Sequence, residues 1–182
     1  MKKLTVPRDE EMSAHNRSLL DSLKKFLGFR PNLYTYMARN ETALGDYLAF
    51  QNRKSTMSAK EREVINLAVS QVNHCAYCLA AHTAIAHSLG FTAEQILDLR
   101  AGRAPFDDKL DALAHFVQET TLRRGHPTPE TVDALFVAGY TEANLVDILI
   151  VIGDKTISNY LHGVTQVPVD FPAAPELQGA EA

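Results

Sequence analysis

Two cysteines, a histidine and a glutamate are spaced in a way that suits thiol chemistry. Cys75 and Cys78 are the two cysteines of the sequence, and they are separated by two residues. His82 follows Cys78 by four residues, and Glu63 precedes Cys75 by twelve. Two thiols can form and release a disulfide, an imidazole can take up a thiol proton, and a carboxylate can orient the imidazole. These four residues are therefore the predicted site of thiol redox chemistry.

The two cysteines and His82 are predicted to share one face at the start of a helix. Spacings of three and four residues place side chains on neighbouring turns of one helical face. A thiol near a helix start feels the positive end of the helix dipole and free amide donors, and both favour the thiolate. We expect His82 to accept the proton of Cys78 or to stabilise its thiolate.

Glu63 can reach these groups only if the chain reverses before the cysteines. On one continuous helix it would lie about 18 Å from Cys75, at about 1.5 Å per residue. The polar pair Asn73-His74 suits a turn, and two antiparallel helices would place Glu63 and His82 at similar heights, about 16 and about 12 Å from it. Glu63 is then expected to orient His82 and to raise its basicity.

The elements that position these residues are predicted to be helices throughout. Apolar residues recur at three- and four-residue spacing, and no segment alternates at period two for long, which indicates an all-α protein. Ser58 and Glu61 form a capping-box pattern at the start of the helix that carries Glu63. The other predicted helices run over 12–27, 33–53 (one helix, or two interrupted near Asn40), 75–89, 92–101, 107–124 and 128–138, with a last helix ending near Leu161.

Length and composition predict one domain and exclude several classes of function. We expect a single domain over 1–182, with 1–11 as an N-terminal extension and the proline-rich 167–182 as a loosely ordered tail without chemistry. No apolar run approaches the roughly 20 residues that cross a bilayer, and the N-terminus does not resemble a signal peptide, so a cytoplasmic protein without a membrane partner is expected. The chain has a net charge of −4 and no basic stripe, which argues against nucleic-acid binding.

The motif resembles that of a known family. Glu63, the run from Cys75 to His82, Ala86 and Gly90 together resemble the core motif of the alkylhydroperoxidase AhpD-like branch of the carboxymuconolactone decarboxylase superfamily, in its peroxidase-related members. The resemblance implies an all-helical bundle in which the Cys-x-x-Cys motif begins a core helix after a helical hairpin. It also implies assembly as a trimer or hexamer.

The resemblance further implies disulfide-linked reduction of hydroperoxides. By analogy, Cys78 attacks the peroxide, Cys75 resolves the resulting sulfenic acid as a disulfide, and His82 with Glu63 relays protons. An external dithiol then resets the site. In AhpD that reductant is a lipoyl group, and a partner peroxiredoxin can be recycled. The analogy implies no bound cofactor and no metal.

Two neighbours of the cysteines are auxiliary candidates. AhpD has a histidine at the position of Tyr77, and a tyrosine, with an unperturbed pKa of about 10, is a poor proton acceptor near neutral pH. The AhpD relay is therefore incomplete here, and the peroxidase rate or the choice of partner is expected to differ. His74 either lowers the pKa of Cys75 or simply occupies the turn. Lactone decarboxylation is disfavoured, because the decarboxylases of the superfamily generally lack the cysteine pair.

Other interpretations of the same residues remain open at this point. Zinc could be bound by Cys75, Cys78 and His82, with His74, Glu63 or His87 as the fourth ligand. The cysteines could also merely pack in a helix, or serve a non-enzymatic redox sensor whose disulfide alters its assembly. The last helix is very apolar and is expected in the core or at a subunit contact, where Asp154 and Lys155 could form an ion pair.

Overall fold

The structure is a computed structural model that describes residues 4–177, and it confirms the all-α prediction. These residues contain no strand. A short 3-10 turn, Asp9–Glu11, lies in the predicted N-terminal extension. The helices are α1 (Ala14–Leu27), α2 (Asn32–Met37), α3 (Ala43–Gln51), α4 (Ala59–Val72), α5 (Ala76–Ser88), α6 (Ala93–Arg100), α7 (Asp108–Leu122), α8 (Pro129–Val137) and α9 (Glu142–Thr165).

Side-chain caps explain where two of the helices begin. The region predicted as one helix or two contains two, because Asn40 Oδ1 accepts hydrogen bonds from the backbone N–H groups of Thr42 and Ala43 at 3.1 Å each and starts α3. The capping box before α4 is confirmed. Ser58 Oγ accepts from the Glu61 N–H at 3.2 Å, and Glu61 Oε2 accepts from the Ser58 N–H at 2.8 Å.

Helix α9 differs from its prediction in length and burial. It continues to Thr165 rather than ending near Leu161, and Gln166 then leaves the helix with a φ of 50°. Ile148 and Val151 are buried. The opposite face is open, since Val146 is 58 % and Ile157 is 50 % exposed. The apolar run therefore enters the core on one face only.

The described chain forms two compact units. One comprises 4–54 with Tyr160–Asp170, and its core includes Leu20, Leu44 and Tyr47. The other comprises Ser55–Asn159 with 171–177 and has a larger core that includes Ile65, Phe116 and Leu135. The second unit contains all the predicted site residues. Assignment of 1–182 to a single domain stays a prediction.

The segment 167–177 has no regular structure but is held by specific contacts. Val167 is buried, and Asp170 Oδ2 accepts a hydrogen bond from the Asn32 N–H at 2.7 Å. The carbonyl of Pro175 accepts from Arg100 Nη1 at 2.6 Å. One buried side chain and these hydrogen bonds thus hold parts of 167–177, and a loosely ordered tail over 167–182 stays a prediction. The rest of the tail, 178–182, and residues 1–3 of the N-terminal extension lie outside the described residues.

Between residues 4 and 177, no single helix is long and apolar enough to cross a membrane. Helices α8 and α9 reach that length and composition only as a pair, across a bend of 119°.

Candidate thiol active site

Cys75 and Cys78 lie at the N-terminus of α5. Cys75 is the N-cap residue, and its Sγ accepts a hydrogen bond from the backbone N–H of Cys78 at 3.3 Å. Both are free thiols, and both residues are 3 % exposed. The positive end of the α5 dipole and its free amide groups therefore act on the sulfur atoms, and both favour a thiolate.

A tight turn reverses the chain between α4 and α5. Asn73 ends α4, His74 has a φ of 51°, and the Cys75 N–H donates to the carbonyl of Ser70 at 3.0 Å. A positive φ is uncommon for residues other than glycine, although histidine is among those that adopt it more often. His74 is exposed whereas Cys75 is buried. These features favour the second of the two roles considered for His74, which is to occupy the turn.

The hairpin brings Glu63 of α4 against His82 of α5. Glu63 Oε2 lies 2.7 Å from His82 Nδ1, as expected for two antiparallel helices that meet at this turn. The other oxygen, Glu63 Oε1, accepts a hydrogen bond from Asn66 Nδ2 at 2.8 Å. Glu63 and Asn66 are buried. Both carboxylate oxygens are thus occupied, and with Nδ1 bound to Glu63, the Nε2 atom of His82 is the ring nitrogen left to exchange a proton.

Glu63 is held in its ionised form. Burial alone would raise the pKa of this carboxyl group, but the charge of His82, the hydrogen bonds from His82 and Asn66, and the charge of Lys155 together lower the pKa below its ordinary value. A carboxylate bound to a ring nitrogen fixes the orientation of an imidazole. Glu63 therefore holds His82 in place as a candidate acid or base.

The two thiols differ in how readily they ionise. The pKa of Cys78 is lowered, first because the Cys75 thiol donates a hydrogen bond to it, and then through the charges of Lys155 and His82 and a hydrogen bond from Asn159; burial opposes the shift. The pKa of Cys75 is raised, because it donates that hydrogen bond, is buried and faces the charge of Cys78. Cys78 is therefore the thiol that ionises first.

Helix α9 supplies a third set of contacts to the sulfur atoms. Cys78 Sγ donates a hydrogen bond to Ser158 Oγ at 3.8 Å, and Ser158 Oγ donates to the Lys155 carbonyl at 2.9 Å. Asn159 Nδ2 donates to Ser70 Oγ at 3.2 Å. Lys155, Ser158 and Asn159 are all buried. Lys155, proposed from the sequence as a partner for Asp154, thus places its charge near the thiols and Glu63.

Tyr77 packs rather than pointing into solvent. It is buried, and its ring meets the edge of the Phe171 ring with centroids 5.6 Å apart and planes at 84°. This geometry is the edge-to-face arrangement that aromatic pairs prefer. Tyr77 therefore links the Cys-x-x-Cys motif to the segment that follows α9.

The residues proposed as zinc ligands are not arranged as a metal site. Within 4–177, no group of three or more histidine, cysteine, aspartate or glutamate side chains could hold a metal ion. His82 is engaged with Glu63. His87 is exposed, and its Nδ1 lies 3.2 Å from the carbonyl oxygen of Phe91. The structure therefore does not support the zinc interpretation.

Comparison with known families places the motif in context. The model of the carboxymuconolactone decarboxylase family matches residues 37–119, which contain the whole α4–α5 hairpin. Over these residues the chain is similar to the carboxymuconolactone decarboxylase family. A relative in this comparison, the uncharacterised protein YdfG of Bacillus subtilis, is 28 % identical over 102 residues, which are 55 % of this chain and 69 % of YdfG.

Several solved structures share the fold of this chain. A peroxidase-related protein from Silicibacter sp. TM1040 has a TM-score of 0.79 at 24 % identity, over 96 % of this chain and 92 % of that one. An AhpD-core, peroxidase-related protein from Ralstonia eutropha JMP134 has a TM-score of 0.78 at 21 % identity, over 87 % of both chains. The debrominase Bmp8, as a cysteine-to-alanine variant with 2,3,4-tribromopyrrole, has a TM-score of 0.77 at 15 % identity, over 93 % and 92 %. At these identities the likeness concerns the AhpD-like fold.

Four residues around the thiols were not found from the sequence as their partners. Asn66 lies one turn after Glu63, so its spacing offered a signal. Lys155, Ser158 and Asn159 are polar residues at i, i+3 and i+4 of α9, and this spacing places them in one stripe. That stripe was detectable, but its proximity to Cys78 required the tertiary structure.

Proposed function

We propose that the protein is a thiol-dependent peroxidase that reduces hydroperoxides through Cys78 and Cys75. The observation that carries this proposal is the placement of Cys75 and Cys78, with the pKa of Cys78 lowered, at the N-terminus of α5 in the hairpin that also holds the His82–Glu63 pair. A nucleophile whose ionised form is stabilised, next to an imidazole oriented by a carboxylate, is the arrangement of an activated-nucleophile site. The similarity to the carboxymuconolactone decarboxylase family over residues 37–119 and to a peroxidase-related structure supports it.

The first half of the proposed cycle oxidises Cys78. Its thiolate attacks the terminal oxygen of a hydroperoxide, a sulfur–oxygen bond forms and the oxygen–oxygen bond breaks. The sulfur is oxidised by two electrons to a sulfenic acid, and the alkoxide leaves as an alcohol after taking one proton. His82 supplies that proton, and Glu63 holds the imidazole in place for the transfer.

The second half restores the thiols. Cys75 attacks the sulfenic sulfur of Cys78, water leaves, and a Cys75–Cys78 disulfide forms. An external dithiol then reduces this disulfide and becomes a disulfide itself, so that one hydroperoxide and one dithiol yield an alcohol, water and an oxidised dithiol. We propose a lipoyl-type dithiol as the reductant, with a peroxiredoxin as a further partner.

We also propose that the protein acts as a homo-oligomer, a trimer or a hexamer, in the cytoplasm. Large apolar side chains exposed on α9, including Val146 and Ile157, support assembly, because contiguous exposed apolar surface is typical of an interface. Tyr77 is proposed to slow the cycle relative to an AhpD with histidine at that position, since the tyrosine offers no proton acceptor near neutral pH.

Reductive debromination is a second candidate, favoured by the likeness to Bmp8 over 93 % of this chain. The same thiolate could attack a bromine atom of a bromopyrrole, so that the carbon–bromine bond breaks and the carbon takes a proton. Cys75 would then displace bromide from Cys78 and form the disulfide. A hydroperoxide and 2,3,4-tribromopyrrole therefore belong in the same assay.

The experiment that tests the proposal measures turnover and mass together. The reduced protein is given one equivalent of an alkyl hydroperoxide, and its intact mass is recorded; turnover is then followed with dihydrolipoamide. We expect the loss of two hydrogens and sustained alcohol formation. Cys78→Ser should abolish both, whereas Cys75→Ser should be oxidised once without turnover. Equal turnover by both variants and the parent would contradict the mechanism.

The redox-sensor alternative predicts a different result in the same samples. A sensor would form the disulfide, show no sustained turnover with any dithiol, and change its oligomer size between the reduced and oxidised forms. Size-exclusion chromatography with light scattering on both forms separates the two. Turnover at constant oligomer size supports the enzyme.

A further inference from the structure

Lys155, Ser158 and Asn159 form a polar stripe on α9 beside the thiol site. They are 4 %, 3 % and 2 % exposed. Buried polar side chains lower stability unless they are well paired, so three in one stripe call for a specific role. None of them takes part in the cycle proposed above.

We propose that the α9 stripe of Lys155, Ser158 and Asn159 is a positioning device for Cys78, in which Lys155 and Asn159 stabilise the ionised thiol while Ser158 Oγ accepts from the protonated thiol, and that the stripe thereby sets the reduction potential of the Cys75–Cys78 pair. This inference rests on the proposed function only in so far as that function uses the pair. The three residues touch no substrate in the proposed cycle.

The orientation of the Asn159 amide is fixed by two hydrogen bonds. Its Oδ1 accepts from Asn73 Nδ2 at 3.0 Å, in the turn before Cys75, and its Nδ2 donates to Ser70 Oγ at 3.2 Å. An amide nitrogen carries two hydrogens, so one remains for the sulfur atoms. This donor contributes to the lowered pKa of Cys78. The Asn159 side chain thus contacts the turn and α4 and donates to the thiol pair.

Ser158 and Lys155 act on the two states of Cys78. The Ser158 hydroxyl hydrogen is donated to the Lys155 carbonyl, so its oxygen faces Cys78 as an acceptor, which suits the protonated thiol. The positive charge of Lys155 lowers the pKa of Cys78 as well as that of Glu63, which suits the thiolate. Lys155 is therefore expected to have the larger effect, because a charge in a buried site acts more strongly than a neutral dipole.

The ionisable groups that act on Cys78 come from several elements. Cys75 acts from the turn, His82 from its own helix α5, and Lys155 from α9. Glu63 of α4 opposes the charge of His82 through their contact. The Glu63 carboxylate keeps its contacts with His82 and Asn66 when Lys155 is replaced. Removing the Lys155 charge therefore changes the pKa of Cys78 without breaking the His82–Glu63 pair.

Stabilising a thiolate stabilises the reduced form of a dithiol, and this raises its reduction potential. Loss of the Lys155 charge should therefore make the disulfide harder to reduce. We expect Lys155→Met, which keeps the length of the side chain, to lower the equilibrium constant for reduction of the disulfide by about tenfold, or about 30 mV. It should also move the ionisation of Cys78 to higher pH.

The test uses the full chain and two readouts, ultraviolet titration of the thiolate and the disulfide–dithiol equilibrium against dihydrolipoamide at a fixed pH. Lys155→Arg, which keeps the charge, should stay near the parent. Asn159→Leu removes both amide donors at similar volume and should shift both readouts in the direction of Lys155→Met. Asn159→Leu therefore tests the inference by itself if Lys155→Met does not fold. Thr156→Val is the matched control on α9, since its hydroxyl donates to the Ile152 carbonyl.

The outcomes separate this inference from the peroxidase proposal, because neither readout uses peroxide. If the thiolate titration and the disulfide–dithiol equilibrium both shift in Lys155→Met and Asn159→Leu, the proposed role of the stripe is supported even if the parent shows no peroxide turnover. If the folded variants titrate and equilibrate like the parent and Thr156→Val, the stripe serves only packing and the inference is wrong.

Discussion

Glu63 Oε2 lies 2.7 Å from His82 Nδ1, and Asn66 occupies the other oxygen of the same carboxylate. The carboxylate is thus held from two sides, and His82 has one defined orientation. A histidine fixed in this way presents its Nε2 atom rather than its Nδ1 atom for proton exchange. The four predictions that follow test this pair, the thiols beside it and the helix that carries Glu63.

Glu63→Gln should lower the rate of hydroperoxide reduction by about 10²-fold, because a positioned acid–base group typically contributes at least that factor. The amide keeps the size of the side chain but does not stabilise a proton on His82. Steady-state turnover with saturating dithiol measures the effect. Glu130→Gln, at an exposed position of α8, is the control and should match the parent. An unchanged rate in Glu63→Gln would show that the carboxylate takes no part in the reaction.

Alkylation of Cys78 should already be fast below the ordinary thiol pKa of 9.0, because the Cys75 hydrogen bond and the nearby charges lower its pKa. Only the thiolate reacts, so the rate rises with pH through that pKa and then levels off. A pH series with iodoacetamide and mass mapping measures the midpoint. Cys75→Ala should raise the midpoint, whereas Cys75→Ser, which keeps a donor, should raise it less. A midpoint at or above 9.0 in the parent would contradict the assignment.

Stability at acid pH should depend on Glu63. Its pKa is lower in the folded than in the unfolded chain, so its contribution is fully present above the unfolded value, near 4.5, and is lost as the pH falls through the folded value. The free energy of unfolding of the parent should therefore drop more steeply below about pH 4.5 than that of Glu63→Gln. Urea titrations at several pH values measure both slopes, and parallel slopes would show that Glu63 is not held ionised.

Ser58→Ala should destabilise the fold by about 1 kcal/mol, the usual effect of losing a side-chain cap. Ser58 and Glu61 cap α4, which carries Glu63 and Asn66, but neither touches a sulfur atom. Chemical denaturation should therefore show the loss while the midpoint of Cys78 alkylation stays unchanged. Ser22→Ala, at an exposed site within α1, is the comparison and should change stability less. A shifted alkylation midpoint in Ser58→Ala would mean that the cap also adjusts the thiols.

The local part of the site follows from the sequence, whereas its distant part does not. Glu63, Cys75, Cys78 and His82 lie within twenty residues, so helical spacing and one turn suffice to bring them together. Likewise, caps such as Ser58 locate helix starts. Lys155 and Asn159 are more than seventy residues from the cysteines, and helical periodicity does not specify which helices pack together. The contacts of 167–177 could not be predicted for a related reason, since composition does not reveal the burial of a side chain such as Val167.

The sulfur of Cys75 is also the atom that caps α5, because it accepts the hydrogen bond of the Cys78 amide. In the proposed cycle that sulfur becomes bonded to Cys78 itself, and a disulfide sulfur is a weaker acceptor than a thiol next to a thiolate. Each turnover then removes and restores the cap of one helix. The exchange of the Cys78 amide proton with solvent should therefore follow the redox state of the pair, and it can be measured without any substrate.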